Sequence, residues 1–346
     1  MKSFSGKTVL VTGATGLIGS HIVYELMSMK NVRVIALGRN IEKIKKIFKD
    51  YINNANFYYV VQDVSDPIDL KNIEVNYIFH AAGPMENKII DKYPLEVMKP
   101  NIMGAINCLE FLKKQKEERS VSGRMVIFSS VTIYGNITGN DLVVGEEDTQ
   151  VTIPLDASNA IYSQSKRMSE VISRAYSKQY GLDIVIARLS TVYGNTFFKP
   201  ETAFFEFINR ALSGENITLR DSGVARRDNI YIDDAVSGIL LLGLNGTNCE
   251  VYNVSSNGEM GNFAAVDEIA SIIIDLVNEK YNINIKLINQ SSKNKIRRSG
   301  IVLSNIKLKN LGWNVKTSLR EGIAKTLKVF EAVSYTHLRA HETGRN

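Results

Sequence analysis

The chain has few of the residues that cross-link a fold or bind metal. Its 346 residues include two cysteines, Cys108 and Cys249, which lie in apolar stretches without metal-binding spacing. Two such thiols give no disulfide framework, and we expect both to be buried packing residues in a reducing compartment. Nothing near the first residue resembles a signal peptide, and no apolar run approaches the length of a membrane span. These absences predict a cytoplasmic protein with no membrane partner.

The last residues, 333–346, do not look like native protein. Their sequence, VSYTHLRAHETGRN, reads as the in-frame translation of a common transposon-based sequencing adapter. We therefore expect the native tail to be lost from about residue 333. Without this segment only His21 and His80 remain of the four histidines, which disfavours a histidine-based mechanism and a metal site.

The charge balance gives no sign of a nucleic-acid partner. The 42 basic and 36 acidic residues leave a net charge of +6, which becomes +5 without the adapter-like segment. The excess is spread along the chain, and the basic clusters at 43–49 and 113–119 are typical of solvated helix faces. We therefore expect no binding to DNA or RNA.

A glycine-rich turn joins the first predicted strand to the first predicted helix. Residues 7–11 form a short β-branched run, and apolar residues recur at helical spacing across residues 17–29. Between them, Gly13, Gly16 and Gly19 allow a tight turn, close approach of backbone N–H groups to a pyrophosphate, and close helix packing. Their spacing differs by one residue from the dinucleotide fingerprint, but the strand before and the helix after support a dinucleotide site.

Apolar runs alternate with helical stretches along the first half of the chain. Strands are predicted over residues 32–37, 56–61, 77–80, 124–129 and 183–188, and long helices over 94–116 and 159–180. This alternation predicts an α/β fold with a doubly wound, Rossmann-type parallel sheet and helices on both faces. From about residue 195 the rhythm changes. We therefore expect residues 1–194 to be mainly the dinucleotide-binding domain and residues 195–332 a smaller, interleaved substrate-binding lobe.

Tyr162 and Lys166 carry the predicted chemistry. A lysine four residues after a tyrosine lies on the same helix face, and its ammonium favours the phenolate. We expect this ammonium, together with an oxidised nicotinamide ring nearby, to lower the pKa of Tyr162 from its usual value of ~10, which makes Tyr162 a general base for hydride transfer with a nicotinamide dinucleotide. Ser130, at the end of an earlier strand, is placed to hydrogen-bond the same substrate hydroxyl. The alternative is a surface tyrosine beside a solvated lysine.

These residues resemble those of a known family. The chain is similar, over about residues 5–331, to the extended short-chain dehydrogenase/reductases of the NAD-dependent epimerase/dehydratase group, which act on nucleotide sugars. The shared motifs are the glycine turn, DV at 63–64, HAAG at 80–83, NIMGAIN at 101–107, SSVTIYG at 129–135, Tyr162 with Lys166, RLSTVYG at 188–194, RD at 227–228, YN at 252–253 and LGW at 311–313. The resemblance implies an NAD(P)-dependent enzyme with a nucleotide-sugar substrate, and a homodimer formed through the two long helices.

The resemblance also implies which residues hold the cofactor. Asp63 would meet the adenine amino group, and Lys166 would hold the nicotinamide ribose in addition to favouring the phenolate. The positions expected to contact the cofactor are Gly13, Thr15, Gly16, Leu17, Ile18, Gly19, Arg39, Asp63, Val64, Ala81, Ala82, Gly83, Asn101, Tyr162 and Lys166.

On the substrate side, the resemblance implies that Arg227 binds the diphosphate, because a guanidinium fork suits phosphate oxygens. An ion pair with Asp228 or Asp221 is the alternative for this arginine. The side chains expected at the sugar are Ser130, Thr132 and Thr191, with Ser130 and Tyr162 polarising the sugar hydroxyl.

Two departures from the family pattern bear on the choice of cofactor and of reaction. The second strand ends in Leu37-Gly38-Arg39, where NAD-preferring members carry an acidic residue, and Arg39 offers a cation to a 2′-phosphate. We therefore favour NADP over NAD, although Arg39 could instead stack on the adenine or be solvated.

The second departure follows the catalytic serine. Dehydratases and decarboxylases of the family carry acidic residues at the next two positions, which here are Val131 and Thr132. This disfavours 4,6-dehydration.

We therefore expect a C4-epimerase that acts by reversible hydride transfer through a 4-keto intermediate, because this reaction requires no further acid or base. A nucleotide-sugar decarboxylase and an NADPH-dependent 4-keto-sugar reductase are the alternatives. Thr191 stands where asparagine is common in epimerases and decarboxylases, which weakens any choice of sugar. A non-catalytic dinucleotide-sensing protein is the alternative from another class, and the presence of Ser130, Tyr162 and Lys166 argues against it.

Overall fold

Strands and helices alternate along the chain. The computed structural model describes residues 2–71, 73–83, 90, 92–135, 141–149, 153–157, 159–197, 202–219, 223–289 and 299–342. Its strands are β1 (Thr8–Thr12), β2 (Arg33–Gly38), β3 (Phe57–Val61), β4 (Tyr77–His80), β5 (Arg124–Ser130), β6 (Leu142–Val144), β7 (Asp183–Leu189), β8 (Thr191–Tyr193), β9 (Ile217–Leu219), β10 (Ala225–Tyr231), β11 (Val251–Val254), β12 (Phe263–Ala265), β13 (Leu287–Asn289) and β14 (Ser299–Leu303). Its helices are α1 (Leu17–Ser28), α2 (Ile41–Ile47), α3 (Pro94–Arg119), α4 (Ala160–Tyr180), α5 (Ala203–Leu212), α6 (Ile232–Asn245), α7 (Val266–Tyr281), α8 (Ile306–Lys309) and α9 (Leu319–Glu342), with 3₁₀ turns at Val131–Tyr134 and Glu259–Gly261.

A seven-stranded parallel sheet forms the centre of the fold. Its strand order is β3-β2-β1-β4-β5-β7-β11, and every neighbouring pair is parallel. The chain moves outward from β1 through β2 to β3, then returns to β4 on the other side of β1 and continues outward through β5. This reversal opens a crevice at the carboxyl ends of β1 and β4, the place where open α/β sheets bind ligands. The doubly wound parallel sheet predicted from the sequence is confirmed.

Both faces of this sheet are covered by helices. Val9 and Val11 of β1 belong to the core on the side of α1 and α6, whereas Leu10 belongs to the core on the side of α3. Because successive side chains of a strand point to opposite faces, one strand contributes to both cores. The central strands are thereby shielded from water, whereas β3 at the edge of the sheet is largely exposed.

Strands from both halves of the chain build a second sheet. Its order is β12-β10-β14-β6, with β8 beside β10, and β10 pairs antiparallel only with β12 among its described neighbours. Strand β6 precedes residue 194 in sequence, whereas β11, which extends the central sheet, follows it. Each half therefore contributes a strand to the other half's sheet. The division at residue 194 stays a prediction.

Three expectations drawn from composition can be compared with the fold. Cys108 is buried, but Cys249 is partly exposed, so the expectation of two buried thiols is wrong for Cys249. No helix in the described part of the chain combines the length and apolarity needed to cross a bilayer. The adapter-like segment begins inside α9, and its residues 343–346 lie outside the described residues. Its artificial origin stays a prediction.

The turn after β1 tolerates no side chain at Gly19, which yields a first prediction. A Cβ built there would lie 2.3 Å from the carbonyl oxygen of Gly13, a backbone atom that cannot rotate away. We expect Gly19→Ala to lower the free energy of unfolding by about 1–3 kcal/mol, measured by urea denaturation. Gly145→Ala is the control, because its nearest neighbour would be a side-chain oxygen at 3.7 Å. Equal stability of the two variants would contradict the close packing of this turn.

Candidate active site

The glycine turn between β1 and α1 presses against the end of β4. Gly13 has φ of 62°, and a Cβ at this position would lie 2.7 Å from the Cα of Ala82. Gly16 is the N-cap of α1 and forms no side-chain capping bond. The first N–H groups of the helix and its positive dipole end are therefore available to an anionic ligand.

A cleft of about 200 Å³ lies at these strand ends. Most of the predicted cofactor positions line it, namely Gly13, Thr15, Gly16, Arg39, Asp63, Val64, Ala81, Ala82 and Gly83. The predicted positions outside its lining are Leu17, Ile18, Gly19, Asn101, Tyr162 and Lys166. The lining also contains Leu37 and Gly38, which precede Arg39 at the end of β2, and two residues that the sequence analysis did not mention, Gln62 and Pro100. Gln62 and Gly38 directly adjoin predicted residues at strand ends, whereas Pro100 lies within α3 and carries no sequence signal.

Arg39 lies at the rim of this cleft between two carboxylates. Its Nη1 atom is 3.5 Å from Asp63 Oδ2 and 3.5 Å from Glu96 Oε2, and its side chain is 59% exposed. Burial acts to raise the pKa of Asp63, but hydrogen bonding to Ser65 and the charge of Arg39 outweigh it and lower that pKa. Glu96, on α3, is a neighbour that no sequence pattern marks. The guanidinium of Arg39 is therefore shared between the carboxylates of Asp63 and Glu96 and is not fully solvated.

Asn101 and Lys166 meet at Gly83, just after β4. A Cβ on Gly83, whose φ is 155°, would lie 2.3 Å from Asn101 Oδ1 and 3.2 Å from Lys166 Nζ. The amide nitrogen of Asn101 donates to Ser165 Oγ at 2.9 Å. Its buried Oδ1 has no hydrogen-bond partner among the described residues. An unsatisfied buried acceptor costs about 1–3 kcal/mol, so this oxygen is suited to a donor supplied by a ligand.

Ser130, Tyr162 and Lys166 come together at the carboxyl end of β5. Each is less than a tenth exposed. Lys166 Nζ donates to the carbonyl oxygen of Phe128 at 2.8 Å and lies 5.8 Å from the centre of the Tyr162 ring. The hydroxyl of Ser130 accepts from Thr132 N at 3.2 Å. The surface position weighed for Tyr162 is thus wrong, because the side chain is buried.

The pKa of Tyr162 moves opposite to the expected direction. Burial raises it to about 12, and a hydrogen bond with Ser130 only partly offsets this effect. Burial also lowers the pKa of Lys166 to about 8, against the opposing charge of Glu170. The expected lowering of the tyrosine pKa by the Lys166 ammonium is therefore wrong, because that ammonium bonds to the Phe128 carbonyl and burial dominates. The further lowering expected from an oxidised nicotinamide stays a prediction.

The predicted substrate residues lie on neighbouring strands of the second sheet and beside Ser130. Thr132 is half-buried next to Ser130, and Thr191 of β8 is in register with Asn229 of β10. Arg227, two residues before Asn229, is exposed.

The alternative ion pair of Arg227 with Asp228 does not form. The Asp228 side chain is buried, and its carboxylate accepts from Ser256 Oγ and, at 3.0 Å, from Leu303 N. Burial raises the pKa of Asp228 to about 6. Asp221, the other alternative partner, lies outside the described residues. The exposed Arg227 guanidinium therefore remains a candidate for binding an anion.

His80 serves the structure of β4 rather than chemistry. Its Nδ1 atom lies 2.8 Å from Thr12 Oγ1, and burial together with the charge of Lys166 lowers its pKa to about 3. A neutral, fully buried imidazole of this kind links β4 to β1. Within the described ranges, no group of three or more His, Cys, Asp or Glu side chains could hold a metal ion.

Comparisons with known proteins agree with this arrangement. The profile of the NAD dependent epimerase/dehydratase family matches residues 9–255. UDP-glucuronic acid decarboxylase 5 of Arabidopsis thaliana is 29% identical over 322 residues, which cover 92% of this chain and 88% of that protein. The solved UDP-glucose 4-epimerase of Thermotoga maritima, with UDP-glucose, is 25% identical with a TM-score of 0.75, covering 94% of this chain and 99% of that one.

A further solved structure shares the fold. It is the UDP-glucuronic acid 4-epimerase of Bacillus cereus in complex with UDP-glucuronic acid and NAD, 23% identical with a TM-score of 0.76, covering 94% of this chain and 99% of that one. The family match extends over most of the residues that form the central sheet and its strand ends. The chain therefore belongs to the NAD dependent epimerase/dehydratase family of NAD(P)-dependent enzymes.

Proposed function

We propose that the chain is a nucleotide-sugar C4-epimerase. The observation that carries the proposal is the buried cluster of Ser130, Tyr162 and Lys166. The two residues that follow Ser130 in the sequence are Val131 and Thr132 and not carboxylates. Inversion at C4 requires one group that takes and returns the proton of one hydroxyl, and no second acid. The likeness to a UDP-glucose 4-epimerase from Thermotoga maritima supports this choice.

The strand ends fit a nicotinamide dinucleotide. Gly13 and Gly16 leave the N-terminus of α1 open for a pyrophosphate, and Asp63, which lines the same cleft, would accept from the adenine amino group. The unpaired oxygen of Asn101 suits a donor on the bound dinucleotide. When bound, the dinucleotide supplies an acceptor, and later a donor, of the C4 hydride of the sugar.

The side chains of the protein transfer the proton and bind the sugar. Tyr162 takes the proton of the C4 hydroxyl, and the positive charge of an oxidised nicotinamide would lower its pKa from about 12 for this step. Ser130 hydrogen-bonds the C4 oxygen in both orientations of the 4-keto sugar, and Tyr162 returns the proton after the sugar has turned over. Arg227 holds the diphosphate during this rotation, with Thr132 and Thr191 beside the sugar.

A UDP-glucuronic acid decarboxylase is the second candidate. It is favoured by the 29% identity to the Arabidopsis thaliana enzyme of that name over 92% of the chain. Oxidation at C4 places a ketone β to the C6 carboxylate, so loss of carbon dioxide would follow the same first step with the same three residues. The two candidates therefore share the first hydride transfer and differ in whether the 4-keto intermediate loses carbon dioxide.

We further propose a preference for NADP, which would also suit a 4-keto-sugar reductase. Strand β2 ends in Gly38 and Arg39, so no carboxylate at this end repels a 2′-phosphate. Asp63 and Glu96, each 3.5 Å from Arg39, compete with that phosphate for the guanidinium. The preference is therefore expected to be modest.

We also propose a homodimer that pairs the two long helices of one subunit with those of its partner. Helices α3 and α4 pack side by side. They carry large exposed apolar side chains, namely Leu95 (61%), Met103 (43%), Met168 (47%) and Val171 (59%). Such apolar exposure on two adjacent helices is typical of a subunit interface.

Replacing Tyr162 by phenylalanine tests the catalytic proposal. The variant lacks the proton acceptor, so we expect conversion of UDP-glucose to UDP-galactose to fall by about 10²–10⁴-fold, while dinucleotide binding persists. Tyr58→Phe is the control, because Tyr58 is 42% exposed on β3. UDP-glucuronic acid is assayed in parallel, and release of carbon dioxide from it alone would favour the decarboxylase. Unchanged turnover by Tyr162→Phe would overturn the role of Tyr162 as the base, and dinucleotide binding by a wild type that turns over no nucleotide sugar would support a dinucleotide sensor.

The cofactor proposal predicts opposite effects for two neighbouring residues. Arg39→Ala should raise the Kd for NADP by about tenfold, the scale of one lost charge-assisted hydrogen bond, and change the Kd for NAD little. Glu96→Gln should lower the Kd for NADP, because it removes a competing carboxylate 3.5 Å from Arg39. Both are measured by fluorescence titration with the reduced cofactors. Equal changes for both cofactors would contradict the preference.

The homodimer proposal predicts that charge on the exposed helix face separates the subunits. We expect Val171→Glu to raise the dimer dissociation constant by about 100-fold or more, because an unpaired carboxylate would be buried at the interface. Sedimentation velocity measures this change. Ile306→Glu is the control, since Ile306 is 60% exposed at the start of α8. A wild-type chain that sediments as a monomer at micromolar concentration would overturn the proposal.

A further inference from the structure

A buried ion pair ties the catalytic helix to the two strands that end beside it. Glu170 lies one turn after Lys166 on α4, and its carboxylate accepts from Arg188 Nε at 3.0 Å and from Arg188 Nη2 at 2.8 Å. Ser129 Oγ donates to the same carboxylate. Ser129 and Arg188 are register partners in β5 and β7. One carboxylate on α4 therefore spans two adjacent strands at the residue before Ser130.

The remaining nitrogen of Arg188 extends this connection towards the second sheet. Arg188 Nη1 donates to the hydroxyl of Tyr134 at 3.0 Å, and that hydroxyl donates to Asn253 Oδ1 at 2.6 Å. Asn253 Nδ2 in turn donates to the carbonyl oxygen of Ser304, directly after β14, at 3.0 Å. Because β14 pairs with β10, the bonds run continuously from the catalytic helix to the strand beside Arg227.

The stability of the fold does not explain why these polar groups are buried. Arg188 is 3% exposed, and Glu170 is 7% exposed. Taking each charge out of water costs several kcal/mol, and an apolar pair of similar volume is often as stable. A guanidinium that meets both oxygens of one carboxylate, however, fixes a distance and an angle at once. The pair therefore serves to specify geometry.

That geometry governs the distances between the reacting groups. Tyr162 and Lys166 lie on α4, whereas Ser130 and the Phe128 carbonyl that accepts from Lys166 lie on β5. A full turn of helix spans 5.4 Å, so even a fraction of a turn of sliding would separate these groups. A misplacement of about 1 Å can lower a rate by about 10²-fold.

We propose that Glu170 and Arg188 are positioning residues of the reaction, and that Tyr134 transmits their position to the substrate-binding lobe. The inference rests on the proposed roles of Ser130, Tyr162 and Lys166. Glu170 acts through Ser129 and through the placement of α4, and its negative charge favours the ammonium form of Lys166. Tyr134, four residues after Ser130, joins the catalytic strand end to Asn253 and thereby to the second sheet.

The charge effect can be read from a pH profile. The titratable groups that face Lys166 are Glu170 and Tyr162 on its own helix and His80 on β4. His80 has a pKa of about 3 and Tyr162 one of about 12, so Lys166, with a pKa of about 8, is the group expected to titrate above neutrality. Loss of its proton removes the ammonium, so kcat/KM and NADPH affinity should both fall as the pH rises through about 8.

Two variants and one matched control test the proposal. Glu170→Gln should lower kcat by about tenfold or more. It should also move the alkaline limb, the fall of kcat/KM and of NADPH affinity at high pH, by about one pH unit towards lower pH, because Lys166 loses a stabilising negative charge. Tyr134→Phe should leave that limb in place and raise the KM for the nucleotide sugar by about fivefold, the scale of one lost buried hydrogen bond. The control is Asp183→Asn, which breaks the 2.8 Å pair of Asp183 with Arg124 at the opposite ends of the same two strands. It should lower Tm without changing kcat or the alkaline limb.

The outcomes separate positioning from mere stability. Equal losses of Tm and of turnover in Glu170→Gln and Asp183→Asn, with an unmoved limb, would overturn the proposal. If Glu170→Gln does not fold, Tyr134→Phe decides, and an unchanged KM would overturn it. The limb is also read from NADPH fluorescence titrations, so it remains measurable if the wild type turns over no nucleotide sugar. That last result would contradict the proposed function alone.

Discussion

The architecture of the site depends on the close approach of the β1–α1 turn to the end of β4. No side chain fits at Gly13, because its Cβ would lie 2.7 Å from the backbone of Ala82. This contact places the open N-terminus of α1 beside the strand end that continues into Gly83. Gly83 in turn lies against Asn101 and Lys166, so the glycine turn is connected to the helix that carries Tyr162 and Lys166. A single steric constraint thus relates the position of the glycine turn to that of this helix.

Burial shifts both catalytic groups towards their neutral forms. It raises the pKa of Tyr162 to about 12 and lowers that of Lys166 to about 8, and neither shift favours a phenolate in the chain alone. A positive charge brought by an oxidised dinucleotide would oppose the shift of the tyrosine. Under this account the base forms when the oxidised cofactor is present, which links proton removal to the availability of a hydride acceptor. The buried Glu170–Arg188 pair holds the helix on which both groups lie.

Much of the fold could be predicted because its signals are local. Strand β4 occupies Tyr77–His80, the residues that the apolar run indicates, and α4 begins one residue later than expected. Helix α3 continues to Arg119, beyond the predicted end at 116, because its last turn is solvated and carries no apolar signal. The grouping of several predicted residues in one cleft was also foreseeable, since the carboxyl ends of parallel strands meet at one edge of the sheet. Their contacts with a cofactor stay a prediction.

What could not be predicted depends on tertiary placement. Glu96 of α3 meets Arg39, just after β2, and Glu170 of α4 meets Arg188 of β7, so each pair joins two elements and no periodicity reveals it. The spacing of Tyr162 and Lys166 shows that a lysine is near the phenol, but it does not show how deeply the phenol is buried, so the direction of the pKa shift was not foreseeable. Cys249 precedes an apolar strand but has Asn248 and Glu250 as neighbours, and only Cys108 is buried.

Under the proposed function, one hydride leaves C4 of the sugar and returns to its opposite face within a single site. The decisive measurement uses deuterium at C4 of UDP-glucose and of UDP-glucuronic acid, with the products analysed by NMR and mass spectrometry. We predict a sugar inverted at C4 that keeps its deuterium at that carbon. Loss of the label to solvent, or turnover that leaves C4 uninverted, would overturn the proposed C4 epimerisation.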